Sequence, residues 1–326
     1  MEQKYDFLKL KEIEKNILSL GNFLNEEIFE RYQKKGAVIG ISGGIDSAVM
    51  SAICAKSMDP TKILGIIMPE KESDPESQIL AKNVAEQFKI NTETVDITSI
   101  LQSFGVYEKK EKIVLEKFLD FDEKCKYRVV VPPKFSSSVG IPFLEILDGK
   151  NQTHKFKIST SEFLELTAAT SIKHRIRMTM LYYYAEKNNF CVVGTTNKSE
   201  FLQGYFVKYG DGGTDIEPLT NLYKSQIYQI GEFLKVPEKI LKKDASPDIW
   251  SFNTSDEEFF YSVPYYVVDL ILYARENNMS NAEIQKISDL SLEQIESLIQ
   301  FQNQKQFKSQ HMREIPHSWT VLNENL

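Results

Sequence analysis

"IGISGGIDSAVM", residues 39–50, decides the fold and poses the functional question. An apolar run of strand length, "AVIGIS" (37–42), stops at Gly43 and Gly44, and "DSAVMSAICAKSM" (46–58) follows with helical character. A strand that ends in Gly-Gly and enters a helix points backbone N–H groups at an anion, and the helix dipole adds to the attraction. Glycine lets phosphate oxygens approach because no Cβ stands in the way. Ser42 and Ser47 add hydroxyls, and Asp46 is a hard-oxygen ligand suited to a Mg²⁺ ion on the phosphates. The same residues also suit a plain tight turn with a serine cap. The stretch is neither G-x-x-x-x-G-K-[ST], since it has no lysine, nor G-x-G-x-x-G.

Working outward, "ILGIIMP" (63–69), "TETVDI" (92–97) and "FCVVGT" (190–195) read as further short strands. "PESQILAKNVAEQFK" (75–89) and a long run at 162–188 read as helices between them. Short apolar strands alternating with helices predict βαβ units, and right-handed crossovers make a doubly wound α/β fold. The expectation is a mainly parallel sheet with helices on both faces, in a single domain over residues 1–326. Ile13, Ile17, Leu20, Leu24 and Ile28 recur at helical spacing, so an amphipathic helix precedes the sheet. Residues 106–160 break the pattern. Alternating runs such as "KYRVVV" and "PFLEIL" between Pro, Ser and Gly clusters predict an inserted β-hairpin or small subdomain. A helical C-terminal part covers about 262–326, where "SNAE" at 280 and "SLEQ" at 291 are capping boxes.

The formal net charge of −7 disfavours a general attraction to nucleic acid or an anionic membrane. Cys54, Cys125 and Cys191 are far apart and offer no C-x-x-C pair, which suits a reducing cytoplasm. His154, His174, His311 and His317 have no zinc-site spacing. The charged start "MEQKYDFLKLKEIEKN" lacks a signal core, and no apolar run approaches the ~18 residues of a membrane span. A cytoplasmic enzyme is the expected class.

A second cluster, "GTTNKSEFLQGYFVKYGDGGTDIEPLTNLYKSQ" (194–226), follows a strand end, where open α/β sheets bind ligands. It gathers Glu200, Asp211 and Asp215 with Lys208 and Lys224 around three glycines. Any one of these charges alone is ordinarily a solvated surface group. The cluster and its place suit a charged nucleotide.

With both stretches in hand, the chain resembles a known family. "SGGIDSA" after the first strand resembles the pyrophosphate loop of the ATP-pyrophosphatases. The G-T-x-N-x-x-E segment, "KYGDGG" and "LYKSQ" are similar in order and spacing to NAD synthetases. "SIKHRIRM" (171–178), "ASPDIW" to "SDEE" (245–258) and "HMREIP" (311–316) resemble further motifs of that family. The resemblance covers nearly the whole chain outside 106–160.

The resemblance implies ATP-dependent amidation of deamido-NAD through an acyl-adenylate, releasing AMP and pyrophosphate. It implies Gly40, Ser42, Gly43, Gly44, Asp46, Ser47, Thr195, Lys224 and Ser246 as ATP contacts. Asp46 and Glu200 are the implied Mg²⁺ ligands. Arg175, Lys208, Asp215 and His311 are the implied contacts to deamido-NAD. Lys224 is the implied catalytic phosphate contact, and Asp211 is a candidate catalytic residue that would orient Lys208. The loop at 245–258 would close to exclude water from the mixed anhydride. A homodimer is implied as well. Glu2 after the initiator leaves no N-terminal cysteine nucleophile, and no separate amidase domain is expected. The donor is then free ammonia, or ammonia delivered by a partner protein.

The chain departs from the family pattern at Met312, Ile67 and Ser171, and in the aromatic stretch "FNTSDEEFFYSVPYYVVD" (252–269). Its insertion stands where the family has a shorter connection. These changes leave open a paralogue that amidates another carboxylate. The C-terminal "SNAEIQKISDLSLEQIESLIQ" (280–300) has helix-turn-helix length, but Glu293 and Glu296 suit phosphate contacts poorly. A helical dimer or packing element is the better reading.

Overall fold

The computed structural model describes residues 6–130 and 142–319. The expected opening helix is present as α1 (Ile13–Asn25), which runs into a π-helical turn at Glu26–Arg31. Ile17, Leu24 and Ile28 are buried, with Ile13 and Leu20 packed beside them. Residues 37–57 form β1 (Ala37–Gly40) followed by α2 (Ile45–Ser57). Then come β2 (Ile63–Ile67), α3 (Pro75–Gln87) and β3 (Asn91–Thr94). Pro75 sits at the first turn of α3 while the Asp74 side chain accepts from Glu76 N–H, so this helix start is written in its sequence.

The long helix α6 (Thr160–Asn188) leads into β7 (Cys191–Val192), and the sheet order is β3-β2-β1-β7, all parallel. Alternate side chains of β1 face opposite ways, as a strand requires. Ala37 and Ile39 join the core with α1, α2 and α8 (Lys224–Phe233). Val38 packs instead with Ile66, Val192, and Leu181 and Ala185 of α6. The sheet is therefore covered on both faces, as expected.

The insertion holds more than a hairpin. After α4 (Thr98–Ser103) it opens with a helix, α5 (Val106–Lys117), and continues as three antiparallel strands. These are β4 (Lys126–Val130), β5 (Phe143–Leu147) and β6 (Thr153–Lys157). The Pro- and Ser-rich stretch between β4 and β5, residues 131–141, lies outside the described residues. α5 escaped the periodicity reading because Lys110 occupies a fully buried place on its inner face, beside Val106, Ile113 and Val114. β6 escaped it because "THKFK" has no apolar alternation, and it is a strand by virtue of its pairing with β5.

The C-terminal third comprises α9 (Glu238–Lys242), a π-helical turn at Glu257–Tyr261, α10 (Tyr265–Glu276), α11 (Asn281–Ile287), α12 (Leu292–Lys308) and α13 (Gln310–Arg313). Both capping boxes form, at Ser280 with Glu283 and at Ser291 with Gln294. Ile284, Ile295 and Leu298 close on the buried face of α10, which is the packing role. Among the described residues no helix is long and apolar enough to cross a membrane.

Candidate active site

β1 pairs with β2 on one side and β7 on the other, so the strand order reverses beside it. A crevice is expected outside the carboxyl ends of the strands at such a point. A cleft of about 720 Å³ lies there. Gly40, Ser42, Gly43, Gly44, Asp46 and Ser47 line it, together with Thr195, Glu200, Lys224 and Ser246.

The Gly-Gly loop is shaped from within. Ser47 Oγ donates to Gly44 C=O at 3.0 Å and meets Ser42 Oγ at 3.1 Å, while Gly44 N–H donates to Ser42 Oγ at 3.2 Å. Gly43 has φ +82°, and a Cβ there would stand 2.3 Å from Ser77 C=O. Only glycine fits that place. α2 begins after Gly44 with no side-chain cap, so its positive end is left for an anion.

Asp46, in the first turn of α2, faces a buried cation. Lys224 Nζ lies 2.5 Å from Asp46 Oδ2 and 3.1 Å from Glu200 Oε1. Asn197 Nδ2 donates to Asp46 Oδ1 at 2.9 Å, and Asn197 also forms a capping box with Glu200 at the start of α7 (Lys198–Gln203). Asp256, held by the hydroxyls of Tyr205 and Tyr265 at 2.8 Å each, adds its field at the same cation. Two carboxylates thus pair with one ammonium, and a third acts on it through space. Burial pushes the Glu200 carboxyl up to about 8, with Asp46 and Asp256 adding to the shift and Lys224 opposing it. Lys224 is held well above the usual lysine range, because these carboxylates outweigh its burial.

This donor set suits a hard divalent cation. Asp46 and Glu200 supply oxygen ligands, and the local excess of negative charge calls for more positive charge than Lys224 brings. Among the described residues no third His, Cys, Asp or Glu joins them at metal distance, so the remaining ligands would be phosphate oxygens and water.

Arg175, Lys208, Asp211 and His311 line the same cleft. Lys208 Nζ donates to the carbonyls of His311 (2.6 Å) and Glu314 (3.2 Å), pinning the C-terminal tail to the cleft. Asp211 accepts from Val207 N–H at 2.8 Å and lies 3.4 Å from His174 Nδ1. Its partners are therefore these two, where the sequence reading had it orient Lys208. Asp215 does not line the cleft. It accepts from Val192 N–H at 2.8 Å and from Tyr182 Oη at 3.1 Å, which ties the loop to the end of the sheet.

The NAD synthase family model matches residues 16–144 and 134–312. The chain belongs to the NAD synthase family. It is 35% identical over 276 residues to the NH3-dependent NAD+ synthetase of Rhizobium rhizogenes, covering 84% of this chain and 82% of that protein. With the protein of the same description from Thermotoga maritima it shares 37% over 260 residues, covering 80% and 86%. Two solved structures share the fold. One is an NH3-dependent NAD synthetase from Campylobacter jejuni (TM-score 0.64, 23% identity, 95% and 100% covered). The other is an NMN synthetase from Francisella tularensis (TM-score 0.66, 24% identity, 96% and 100% covered).

The structure adds cleft residues that the family motifs did not single out. His174 and Arg177 flank Arg175 on α6, and Lys243 reaches Asp74 Oδ2 at 2.9 Å and Ser77 Oγ at 3.2 Å beside the Gly-Gly loop. Burial pushes His174 below its usual value, although Asp211 pulls it up. Asn197 had a readable signal, because "NKSE" is itself an N-cap box of the kind recognised at 280 and 291.

Proposed function

We propose that this chain is a carbon–nitrogen ligase that converts deamido-NAD to NAD with ATP and ammonia. The observation that carries the reading is Lys224, buried between Asp46 and Glu200 at the switch point, beside an uncapped helix end and a turn that only glycine fits.

In the first step an oxygen of the substrate carboxylate forms a bond to the α-phosphorus of ATP. The bond from that phosphorus to the oxygen bridging the β-phosphate breaks, and pyrophosphate leaves with its electron pair. The N–H groups at the start of α2, the hydroxyls of Ser42 and Ser47, and the Lys224 ammonium are placed to neutralise the charge that builds on the phosphates. Electrostatic stabilisation of this kind is usually the largest catalytic contribution. Mg²⁺, held by Asp46 and Glu200, would supply further charge neutralisation on the phosphate oxygens. Thr195 and Ser246 are the proposed remaining ATP contacts. Arg175, Lys208 and His311 hold the deamidated dinucleotide, and Asp215 acts behind them by fixing the loop.

In the second step ammonia bonds to the acyl carbon, the C–O bond to AMP breaks, and the nitrogen loses a proton. Asp211, beside His174, is the proposed residue near that proton. We extend the proposal to a cytoplasmic homodimer, as the family likeness and three free, buried cysteines suggest, with ammonia free or delivered by a separate protein.

The test is turnover of deamido-NAD with ammonium, ATP and Mg²⁺, followed as AMP and NAD. Equal amounts of both are expected. Absence of NAD together with adenylation of another carboxylate, such as nicotinate mononucleotide, would overturn the substrate assignment and leave the adenylation chemistry standing.

A further inference from the structure

Residues 244–255, between α9 and the second π-helical turn, contain no helix or strand, and Asp256 is the N-cap of that turn. Asp244, Ser246, Asp248 and Asp256 face the cleft. The other side of the same segment is built into the insertion. Ile249 and Trp250 are buried in one cluster with Val114 of α5, Tyr127 and Val129 of β4, and Leu144 of β5.

Strand β4 also grips the backbone of the segment. Tyr127 N–H donates to Ser251 Oγ at 3.0 Å, and Phe252 N–H donates to Tyr127 C=O at 3.0 Å. Arg128 Nη1 donates to Asn253 C=O at 2.8 Å, reaches Glu258 at 3.1 Å, and lies over the Phe252 ring. Beneath the segment lies a buried group of two lysines and two glutamates that the chemistry does not use. Lys110 of α5 and Lys173 of α6 both donate to the one carbonyl of Ile249, at 3.2 and 3.1 Å. Both ammoniums also bind Glu72 at 2.5 Å, and Lys173 binds Glu70 at 2.6 Å. Tyr127 Oη and Tyr107 Oη complete the group on Glu72 and Glu70, each at 2.7 Å.

We infer that the insertion serves the reaction: its sheet and α5 position residues 244–256 over the nucleotide end of the cleft. Arg128, Tyr127 and Lys110 are positioning residues in this scheme. A stretch without regular structure meets a large entropy cost on ordering. Here the segment's own bonds, such as Asp256 N–H to Ala245 C=O at 2.8 Å, are joined by the contacts from the insertion and the buried ion group. Lys173 directly precedes His174 and Arg175, so the same anchor joins the segment to the substrate-binding side of α6. Holding the segment in place keeps water from the acyl-adenylate, so its loss is expected to let the intermediate hydrolyse. This inference rests on the amidation reading.

The test uses Arg128→Ala, Arg128→Lys and Tyr127→Phe in the full chain. For each variant we would measure amide hydrogen exchange of 244–256, KM for ATP, kcat, and the ratio of AMP to amide. Arg128→Ala is expected to speed exchange in 244–256 alone and to raise KM for ATP roughly tenfold, the loss of about one charge-assisted hydrogen bond. It should also yield more AMP than amide, with kcat for ATP consumption within about twofold. Tyr127→Phe should do the same more weakly, and Arg128→Lys should recover part of the loss. Unchanged exchange and strict one-to-one AMP and amide in Arg128→Ala, at whatever thermal stability, would overturn the inference. Should the wild type form no amide from deamido-NAD, the substrate reading falls. Exchange of 244–256 with and without ATP in wild type and Arg128→Ala then decides the positioning role separately.

Discussion

Asp269 and Ser199 lie 70 residues apart in sequence, yet Ser199 Oγ donates to Asp269 Oδ1 at 2.5 Å in the fully buried interior. The second carboxylate oxygen accepts from Ser225 N–H at 2.8 Å, and Ser199 Oγ accepts from Lys224 N–H at 3.1 Å. Ser199 adjoins Glu200 and Ser225 adjoins Lys224. One carboxylate on α10 therefore ties together the first turns of the two helices that carry the candidate metal ligand and the candidate phosphate-binding lysine. Asp269→Ala strands a buried hydroxyl and a buried N–H, at roughly 1–3 kcal/mol for each. Urea unfolding should show that loss, and kcat/KM should fall at least about tenfold as the two first turns loosen. Asp269→Asn, which keeps one acceptor, should lose less of both.

Asp46→Asn removes the charge opposite Lys224 while keeping an oxygen for Asn197. Pyrophosphate release should fall by about 10²-fold or more, in line with loss of a preorganised electrostatic contact. The Mg²⁺ concentration for half-maximal activity should rise in parallel. Full activity at the wild-type Mg²⁺ requirement would contradict the assignment.

Gly43→Ala combines left-handed strain at φ +82° with a Cβ set 2.3 Å from Ser77 C=O. The loop or α3 must shift, and a cost of roughly 1–3 kcal/mol is expected. Calorimetry gives that number. Equilibrium ATP binding should weaken beyond what unfolding explains, because the displaced backbone is the proposed phosphate cradle.

Glu217 sits under Gly194, where an added Cβ would stand 2.4 Å from its carboxyl atoms. Burial pushes its carboxyl up to about 8, against hydrogen bonds from Thr214 and Thr196 and with Asp211 adding to the rise. A carboxyl raised in the folded state is bound to its proton there and not in the unfolded chain. Its contribution to stability is therefore present below about pH 4.5 and is lost as pH rises through about 8. Glu217→Gln should flatten that fall and leave the variant about 2 kcal/mol more stable than wild type near pH 8, allowing for partial exposure. Urea midpoints from pH 5 to 9 check the sign.

The central fold was legible wherever the signal was local. The strand, glycine turn and helix at 37–57, and the boxes at 280 and 291, each carry their cause within a few residues. α5 was hidden because Lys110 replaces an apolar residue on the buried face, and its partner Glu72 lies 38 residues away. Most of the cleft followed from family motifs, and Asp46, Glu200 and Lys224 do meet there. Asp215 shows the limit of that route: its motif position gives no hint that both carboxylate oxygens are taken up by Val192 and Tyr182. Asp269 carries no local cue, since a buried acid in an apolar helix shows its purpose only once its distant partners are in place.

The Lys208 ammonium reaches across 103 residues to the carbonyl of His311, so this part of the cleft wall is finished by α13, which is translated well after the Gly-Gly loop. Domains generally begin folding from the N-terminal side during synthesis. The Gly-Gly loop and its sheet can then form on the ribosome well before the tail arrives. A nascent chain at that stage presents the candidate nucleotide loop with the Lys208–His311 wall missing. The contact between Lys208 and His311 can close only after α13 has been made, so this wall follows the loop in the order of synthesis.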